Sequence, residues 1–172
     1  KDVSFTYTES NIKAIDKISF KLNNRKSLGI IGVTGSGKTT LIKLITKIYN
    51  IEAGEILFDN NSINEYDLEC LRKQIGVVSQ DSFLFSDSII NNIRFGKEKA
   101  TLKEVENVCK IAGIHNEIIK FSNGYETILG ERGINLSGGQ KQRICIARAL
   151  IKEPKILICL LYTSPSPRDI SW

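Results

Sequence analysis

The chain has 172 residues, of which 41% are apolar and 25% are charged, and its formal net charge is +5. This length suits one domain with a substantial buried core, and the composition is that of an ordinary globular chain. No block of consecutive Lys and Arg residues supports nucleic-acid binding, and no apolar run reaches the roughly eighteen residues of a membrane span. The four cysteines show no Cys-x-x-Cys spacing and lie in apolar surroundings, so we expect buried, reduced thiols.

The first third of the chain predicts strands followed by a Gly-rich loop and a helix. Alternating apolar residues predict strands over Val3–Tyr7 and 18–22, and a continuous apolar run predicts a buried strand over 27–31. The Gly-rich loop follows at once, and apolar residues at helical spacing over 41–48 predict a helix after it. The strand pattern begins at Asp2 without a preceding segment, so we expect the domain to be incomplete at its N-terminus.

The rest of the chain continues to alternate between strands and helices. Further strands are predicted over 55–58, 75–79 and 155–160, and further helices over 67–74, from Thr101 onward and over 140–150. Thr101 and Glu104 have the spacing of a capping box, which marks the start of a helix. On the last helix we expect Ile144, Ala147 and Ile151 to face the core and Arg148 to be solvated or interfacial. This alternation predicts an α/β fold with a largely parallel sheet.

A loop typical of phosphate binding lies at 32–39, where GVTGSGKT matches G-x-x-x-x-G-K-[ST] at every position. Glycines let successive N–H groups point at phosphate oxygens, and the following helix adds the positive end of its dipole. Lys38 supplies a mobile charge for the β- and γ-phosphates, and the Thr39 hydroxyl can ligate Mg²⁺. A plain Gly-rich turn is the alternative, but the predicted strand before the loop and the helix after it favour a nucleotide site. The predicted nucleotide-binding residues here are Gly32, Gly35, Ser36, Gly37, Lys38, Thr39 and Thr40.

A second glycine motif, LSGGQ, occupies 136–140 and precedes a predicted helix. Ser137 is a candidate N-cap, and the N–H groups of Gly138 and Gly139 would be free to bind an anion. On its own, the motif fits an ordinary helix cap better than a binding site.

The two motifs together, about a hundred residues apart, resemble the nucleotide-binding domain of ATP-binding cassette (ABC) proteins, of which LSGGQ is the signature. The resemblance covers nearly all of the chain from residue 3 to 158. It implies a P-loop NTPase core with a mostly parallel sheet, antiparallel β elements near the N-terminus and a helical subdomain that carries the signature. The cofactors it implies are ATP and Mg²⁺.

The resemblance also implies roles for individual residues. Tyr7 matches the aromatic residue that stacks on adenine, although an ordinary strand aromatic is the alternative. Gln80 matches the Q-loop glutamine, which binds Mg²⁺ or the attacking water, although it could be a surface loop residue. Two domains of this family pair head to tail, so the signature would bind the ATP of a second nucleotide-binding domain. The residues that would do so are Ser137, Gly138, Gly139 and Gln140.

The chain is similar to exporters within this family. TILGERG at 127–133 resembles their T-x-V-G-E-x-G segment with Leu129 in place of Val, and 79–96 resembles their pattern of an aromatic-rich Q-loop that leads to a helix. This implies ATP hydrolysis that drives export, at the cytoplasmic face of a membrane, through transmembrane domains on the same or a separate chain. Glu131 and Arg132 would contact those domains, unless they form a solvated turn. The alternatives are a non-transport ABC ATPase acting on nucleic acid or ribosomes, and a catalytically dead ATP-binding module; no nucleic-acid partner is expected.

The C-terminal stretch departs from the family pattern. Its last strand should deliver an Asp-Glu pair at 160 and 161, but the chain has Leu160 and Leu161, and His115 lies too early to be the switch histidine. Codons for residues 159–169 can be written so that they resemble a transposase adapter used in sequencing libraries. We therefore expect an ABC domain over 1–158, incomplete at both ends, and a non-native tail over 159–172, with a truncated paralogue as the alternative. Without the acidic pair, the fragment is expected to be inactive or nearly so.

Overall fold

The computed structural model describes residues 1–131 and 135–160. Two compact units, Lys1–Arg72 and Lys73–Trp172, make up the chain. The described strands pair two by two, and one of these pairs is parallel while two are antiparallel. No helix in the described ranges has the length and the apolar content needed to cross a bilayer.

The first unit combines an antiparallel strand pair with one helix. Its elements are β1 (Val3–Tyr7), β2 (Ile12–Ile18), α1 (Lys38–Ile45), β3 (Leu57–Phe58), β4 (Asn61–Ser62), a 3₁₀ turn (Ile63–Glu65) and, at its end, α2 (Leu68–Lys73). Val3 of β1 and Ile15 of β2 pack with Leu41 and Leu44 of α1 in one buried cluster. The start of α1, and with it the end of the Gly-rich loop, is therefore anchored to the β1–β2 pair.

The turn between β3 and β4 follows directly from its sequence. Asp59 and Asn60 have φ angles of 47° and 69°, so both occupy the left-handed region that two-residue hairpin turns require. Asn and Asp tolerate this region better than most residues. The chain reverses here, and Phe58 pairs with Asn61.

Two strand predictions for the first unit are wrong. β2 ends at Ile18 because β1 begins at Val3, its partner, and offers no residue to extend the ladder over 19–22. Residues 27–31 form no strand, and Ile31 is 99% exposed. An apolar run favours burial, but a strand also needs a neighbour for its N–H and C=O groups, and no described strand pairs with these residues.

The second unit is organised around its longest helix. Its elements are β5 (Ile75–Val78), α3 (Ile89–Arg94), α4 (Leu102–Ile111), α5 (His115–Ile118), a 3₁₀ turn (Gly124–Glu126), α6 (Gly138–Leu150) and β6 (Ile156–Cys159). The predicted stripe is confirmed, since Ile144, Ala147 and Ile151 are all buried in the core that α6 shares with α3 and α4. β5 and β6 pair in parallel, from Ile75 opposite Ile156 to Val78 opposite Cys159.

Side-chain caps define where three helices of this unit begin. Ser88 caps α3, and its hydroxyl accepts from the N–H of Asn91. The capping box predicted from Thr101 and Glu104 is present at α4. The pKa of Glu104 is lowered to about 2, mainly by the hydrogen bond from the Lys97 ammonium and to a smaller extent by the hydrogen bonds from Thr101. This carboxylate therefore stays ionised and able to accept hydrogen bonds across the ordinary pH range.

A buried amide links α3 to α6. The Asn92 side chain is 1% exposed, and its Nδ2 donates to the carbonyl oxygens of Phe85 and Ser88 at 3.0 Å each. Its Oδ1 accepts from the Phe85 N–H at 2.9 Å and from Arg148 Nη2 at 2.7 Å. Arg148 also donates from Nε to the Asn92 carbonyl and from Nη1 to the Phe83 carbonyl. These bonds hold the loop over 83–88 against α6.

Arg148, expected to be solvated or interfacial, is half-buried within the unit itself. Its guanidinium lies 5.3 Å from the ring centroid of Phe85 and 5.9 Å from that of Phe95. Burial lowers the pKa of this guanidinium, although it remains charged. The hydrogen-bond acceptors around it are carbonyls and an amide, which sequence periodicity does not reveal.

Replacing Asn92 with Ala should lower the free energy of unfolding by about 2–4 kcal/mol, because the Phe85 N–H and the Arg148 guanidinium lose a buried acceptor. The matched control is Asn91→Ala, which removes an exposed amide that donates to Asp87. The control should cost about 0.5 kcal/mol or less. Urea unfolding followed by circular dichroism measures both, and equal losses for the two variants would contradict the proposed importance of Asn92.

Candidate functional site

The Gly-rich loop leads directly into α1. Gly37 is the N-cap residue and provides no side-chain cap, and Lys38 is the first residue of the helix. An N-terminus without a side-chain cap keeps its first N–H groups available for another acceptor. Phosphate oxygens carry the charge that this end of a helix favours.

Two glycines close the loop tightly. The φ angle of Gly37 is +88°, and a Cβ there would lie 2.4 Å from the carbonyl oxygen of Ala14. A Cβ on Gly32 would lie 2.5 Å from Ser36 Oγ. The contact at Gly37 is with backbone and its φ is left-handed, so this position requires glycine, whereas at Gly32 the Ser36 side chain would have to turn away.

The Lys38 ammonium lies over the loop itself. It donates to the carbonyl oxygens of Gly32 and Val33 and to Ser36 Oγ, the last at 3.1 Å. A cation is thus held beside the backbone donors that begin α1. The Thr39 side chain is exposed, so its hydroxyl is accessible to a ligand. A cation, free backbone donors and a glycine at the start of the helix fit a nucleotide polyphosphate.

Tyr7 contacts Thr40 in the first turn of α1, directly after the phosphate loop. Its hydroxyl lies 3.0 Å from Thr40 Oγ1, and Thr40 is 6% exposed. The Tyr7 ring lies edge-on to the rings of Phe5 and Tyr49, with centroids 5.0 and 5.6 Å away. The predicted adenine-stacking residue and the predicted phosphate loop are therefore in direct contact.

Two predicted positions lie at the same edge of the β5–β6 pair. Gln80 is exposed and follows β5, while Ser79 Oγ donates to the Asp81 carbonyl at 2.7 Å. Leu160 follows β6, and its N–H donates to the Val78 carbonyl at 2.9 Å. Because the carboxyl ends of parallel strands meet at one edge, position 160 lies beside the Q-loop segment. The residue there is apolar, so it supplies no acid.

The signature forms the start of α6. Ser137 is the N-cap, its Oγ accepts from the Gln140 N–H, and Gln140 Oε1 accepts from the Ser137 N–H at 2.8 Å. Gly138 and Gly139 are exposed in the first turn. The Gln140 side chain is thus used within this unit, and a direct contact of this side chain with a nucleotide stays a prediction.

Sequence reasoning missed a carboxylate behind the signature. Glu117 of α5 accepts from Gln140 Nε2 at 2.8 Å and from Arg143 Nη2 at 2.6 Å. No local pattern indicates this contact, because Glu117 lies more than twenty residues before its partners. His115, too early in the chain to match the switch histidine, is partly buried, and its Nδ1 lies 2.8 Å from the Tyr125 hydroxyl.

Some predicted positions fall outside the described residues. These are Arg132, Leu161 and the remainder of the predicted non-native tail. Glu131 is exposed. Within residues 1–131 and 135–160, His, Cys, Asp and Glu side chains form no group of three or more that could hold a metal ion.

Replacing Gly37 with Ala should lower the free energy of unfolding of the first unit by about 1–3 kcal/mol, because Ala is strained at this φ and its Cβ meets the Ala14 carbonyl. Gly29→Ala is the matched control, since a Cβ at Gly29 meets nothing within 4 Å and its φ is not positive. Hydrogen exchange of the α1 amides and urea unfolding measure the effect. A loss from Gly29→Ala as large as that from Gly37→Ala would contradict this description of the loop.

Comparisons with known proteins agree with this geometry. The family model described as ABC transporter matches residues 15–159. The chain is 49% identical over 168 residues to the uncharacterized ABC transporter ATP-binding protein YfiB of Bacillus subtilis, covering 98% of this chain and 29% of that protein. It is 51% identical over 154 residues to the multidrug resistance-like ATP-binding protein MdlA of Buchnera aphidicola subsp. Schizaphis graminum, covering 90% and 26% of the two chains.

A solved structure confirms the predicted P-loop α/β fold. The structure of a bacterial Atm1-family ABC exporter with ATP bound matches with a TM-score of 0.86 and 39% identity, covering 92% of this chain and 28% of that one. The chain therefore spans less than a third of the length of the relatives it matches. Because the family model covers most of the chain, this protein belongs to the ABC transporter family and carries that family's ATP-binding domain.

Proposed function

We propose that this chain is the ATP-binding part of an exporter-type ABC transporter, in which ATP binding and hydrolysis drive export of a substrate across a membrane. The observation that carries the proposal is the phosphate loop, in which a glycine N-cap, the Lys38 ammonium and the contact between Tyr7 and Thr40 occur together. The similarity to an ATP-bound exporter supports the same function.

Different residues of this chain would bind different parts of the nucleotide. Lys38 would neutralise the β- and γ-phosphates, and the first N–H groups of α1 would donate to their oxygens. The exposed Thr39 hydroxyl would ligate Mg²⁺, which supplies charge neutralisation at the phosphates. Tyr7 would present its ring to adenine. Gln80 is proposed from the family resemblance as a further ligand of Mg²⁺ or of the attacking water.

The signature is proposed to serve a second nucleotide-binding domain. The Ser137 Oγ already accepts from Gln140 N–H, so its own hydrogen remains available to donate. Gly138 and Gly139 have no side chains that would block an approaching phosphate, and a Cβ on Gly138 would meet nothing within 4 Å. We infer a head-to-tail pair of domains at the cytoplasmic face of a membrane, attached to transmembrane domains of the same or another chain.

The 172-residue chain should bind Mg²⁺–ATP, and Lys38→Ala should weaken this binding about tenfold or more, equivalent to about 1.4 kcal/mol or more, because the phosphates lose a cation. Lys43→Ala is the matched control. It removes the same charge from the same helix, but the Lys43 ammonium lies 5.4 Å from the ring centroid of Tyr49. Titration with a fluorescent ATP analogue measures both variants, and equal weakening would count against the phosphate loop.

Steady ATP turnover by the 172-residue chain should be undetectable, because Leu160 and Leu161 stand where the family has its acidic pair. The full-length protein with that pair should release phosphate, and Lys38→Ala should abolish the release. Phosphate release is measured from both proteins under the same conditions. Turnover by the 172-residue chain that disappears with Lys38→Ala would overturn the proposed loss of catalysis.

A further inference from the structure

The Glu117 carboxylate bridges two side chains at the start of α6. One oxygen accepts from Gln140 Nε2 at 2.8 Å and the other from Arg143 Nη2 at 2.6 Å. Gln140 and Arg143 are three residues apart, so they lie on one face of the helix. Glu117 itself is fixed in place because its neighbours Ile114 and Ile118 are both buried in the core. A rigid short helix thus holds a charge against the first turns of α6.

The carboxylate determines how the Gln140 amide is oriented. An ionised carboxylate only accepts hydrogen bonds, so the NH₂ end of Gln140 must face Glu117. The oxygen end must then face the other way, where it accepts from the Ser137 N–H at 2.8 Å. A residue outside the signature, Glu117, therefore fixes the orientation of the Gln140 side chain in the capping box. Without Glu117, the amide could turn over and present NH₂ groups to the Ser137 N–H, which would break the box.

A second contact of the same carboxylate affects the glycines. A Cβ on Gly139 would lie 3.6 Å from Arg143 Nη1, so the guanidinium runs close beside this residue. Glu117 pairs with the guanidinium on its Nη2 side and neutralises it. Glu117 therefore influences both the position of Arg143 and the net charge close to Gly139.

We propose that Glu117 is a positioning residue that orients the LSGGQ turn, through Gln140 and Arg143, for the phosphate bound by a second nucleotide-binding domain. The inference rests on the proposed function, since it assigns a role in the same ATP reaction. Glu117 touches no nucleotide in this arrangement. Its effect passes through the hydroxyl of Ser137 and the N–H groups of Gly138 and Gly139.

The test uses the full-length protein that carries this domain. Glu117→Ala should lower kcat for ATP hydrolysis about tenfold to a hundredfold, because the donors of the signature turn are displaced. Binding of a fluorescent ATP analogue should change less than about twofold, since the phosphate loop around Lys38 is intact. Glu126→Ala, which removes an exposed carboxylate in the same unit, is the control and should leave both values unchanged.

A residue exchange separates positioning from general damage. Glu117→Gln alone keeps the shape of the side chain but removes the charge that orders Gln140 and Arg143, so kcat should fall. Combining Glu117→Gln with Gln140→Glu restores an amide–carboxylate pair and keeps an acceptor for the Ser137 N–H. The double variant should recover a large part of the lost kcat.

Each outcome decides the proposal. Loss of kcat with unchanged nucleotide binding and recovery in the double variant supports it. Unchanged kcat in Glu117→Ala overturns it, as does a loss of ATP binding in proportion to kcat or the absence of any recovery in the double variant. If Glu117→Ala does not fold, Glu117→Gln and the double variant give the same decision. A wild-type protein that shows no ATP turnover overturns the proposed function itself, and this inference with it.

Discussion

The first N–H groups of an α-helix have no acceptor inside the helix, and the starts of α6 and α1 differ in whether a side chain supplies one. α6 begins with a Ser137–Gln140 capping box, in which side chains accept from the Ser137 and Gln140 N–H groups and not from those of Gly138 and Gly139. α1 begins after Gly37, which provides no side-chain acceptor. The loop before α1 is therefore suited to an external acceptor, and Lys38 adds the charge that makes a phosphate the natural one. The proposed binding of the ATP phosphates by this loop depends on the uncapped start of α1.

Buried and partly buried polar contacts tie the rest of the second unit to α6. The Asn92 amide and the Arg148 guanidinium fasten the loop that follows the Q-loop, and Glu117 fastens the signature end of the same helix. One helix therefore connects the segment after Gln80 with the segment around Ser137. Because all of these contacts are directional, they fix orientation as well as proximity.

The phosphate loop, the signature and the helix starts could be predicted because each is encoded by a few neighbouring residues. The Thr101 capping box and the buried stripe on α6 are examples. The strand predicted over 27–31 is wrong because strand formation depends on a distant partner that a local apolar run does not specify. Glu117 and the burial of Arg148 were missed for the same reason, since their partners lie 23 and 56 residues away in sequence.

The pairing of β5 with β6 does not depend on which side chain occupies position 160. Its register runs through backbone partners up to Cys159, and the Leu160 N–H extends it with a bond to the Val78 carbonyl. Backbone pairing of this kind makes no demand on whether the side chain at 160 is a hydrocarbon or a carboxylate. If hydrolysis depends on an acid at this position, as we propose, its gain or loss would change what the domain does to ATP while leaving its scaffold recognisable. The fold alone is thus a poor guide to whether a domain of this kind hydrolyses ATP.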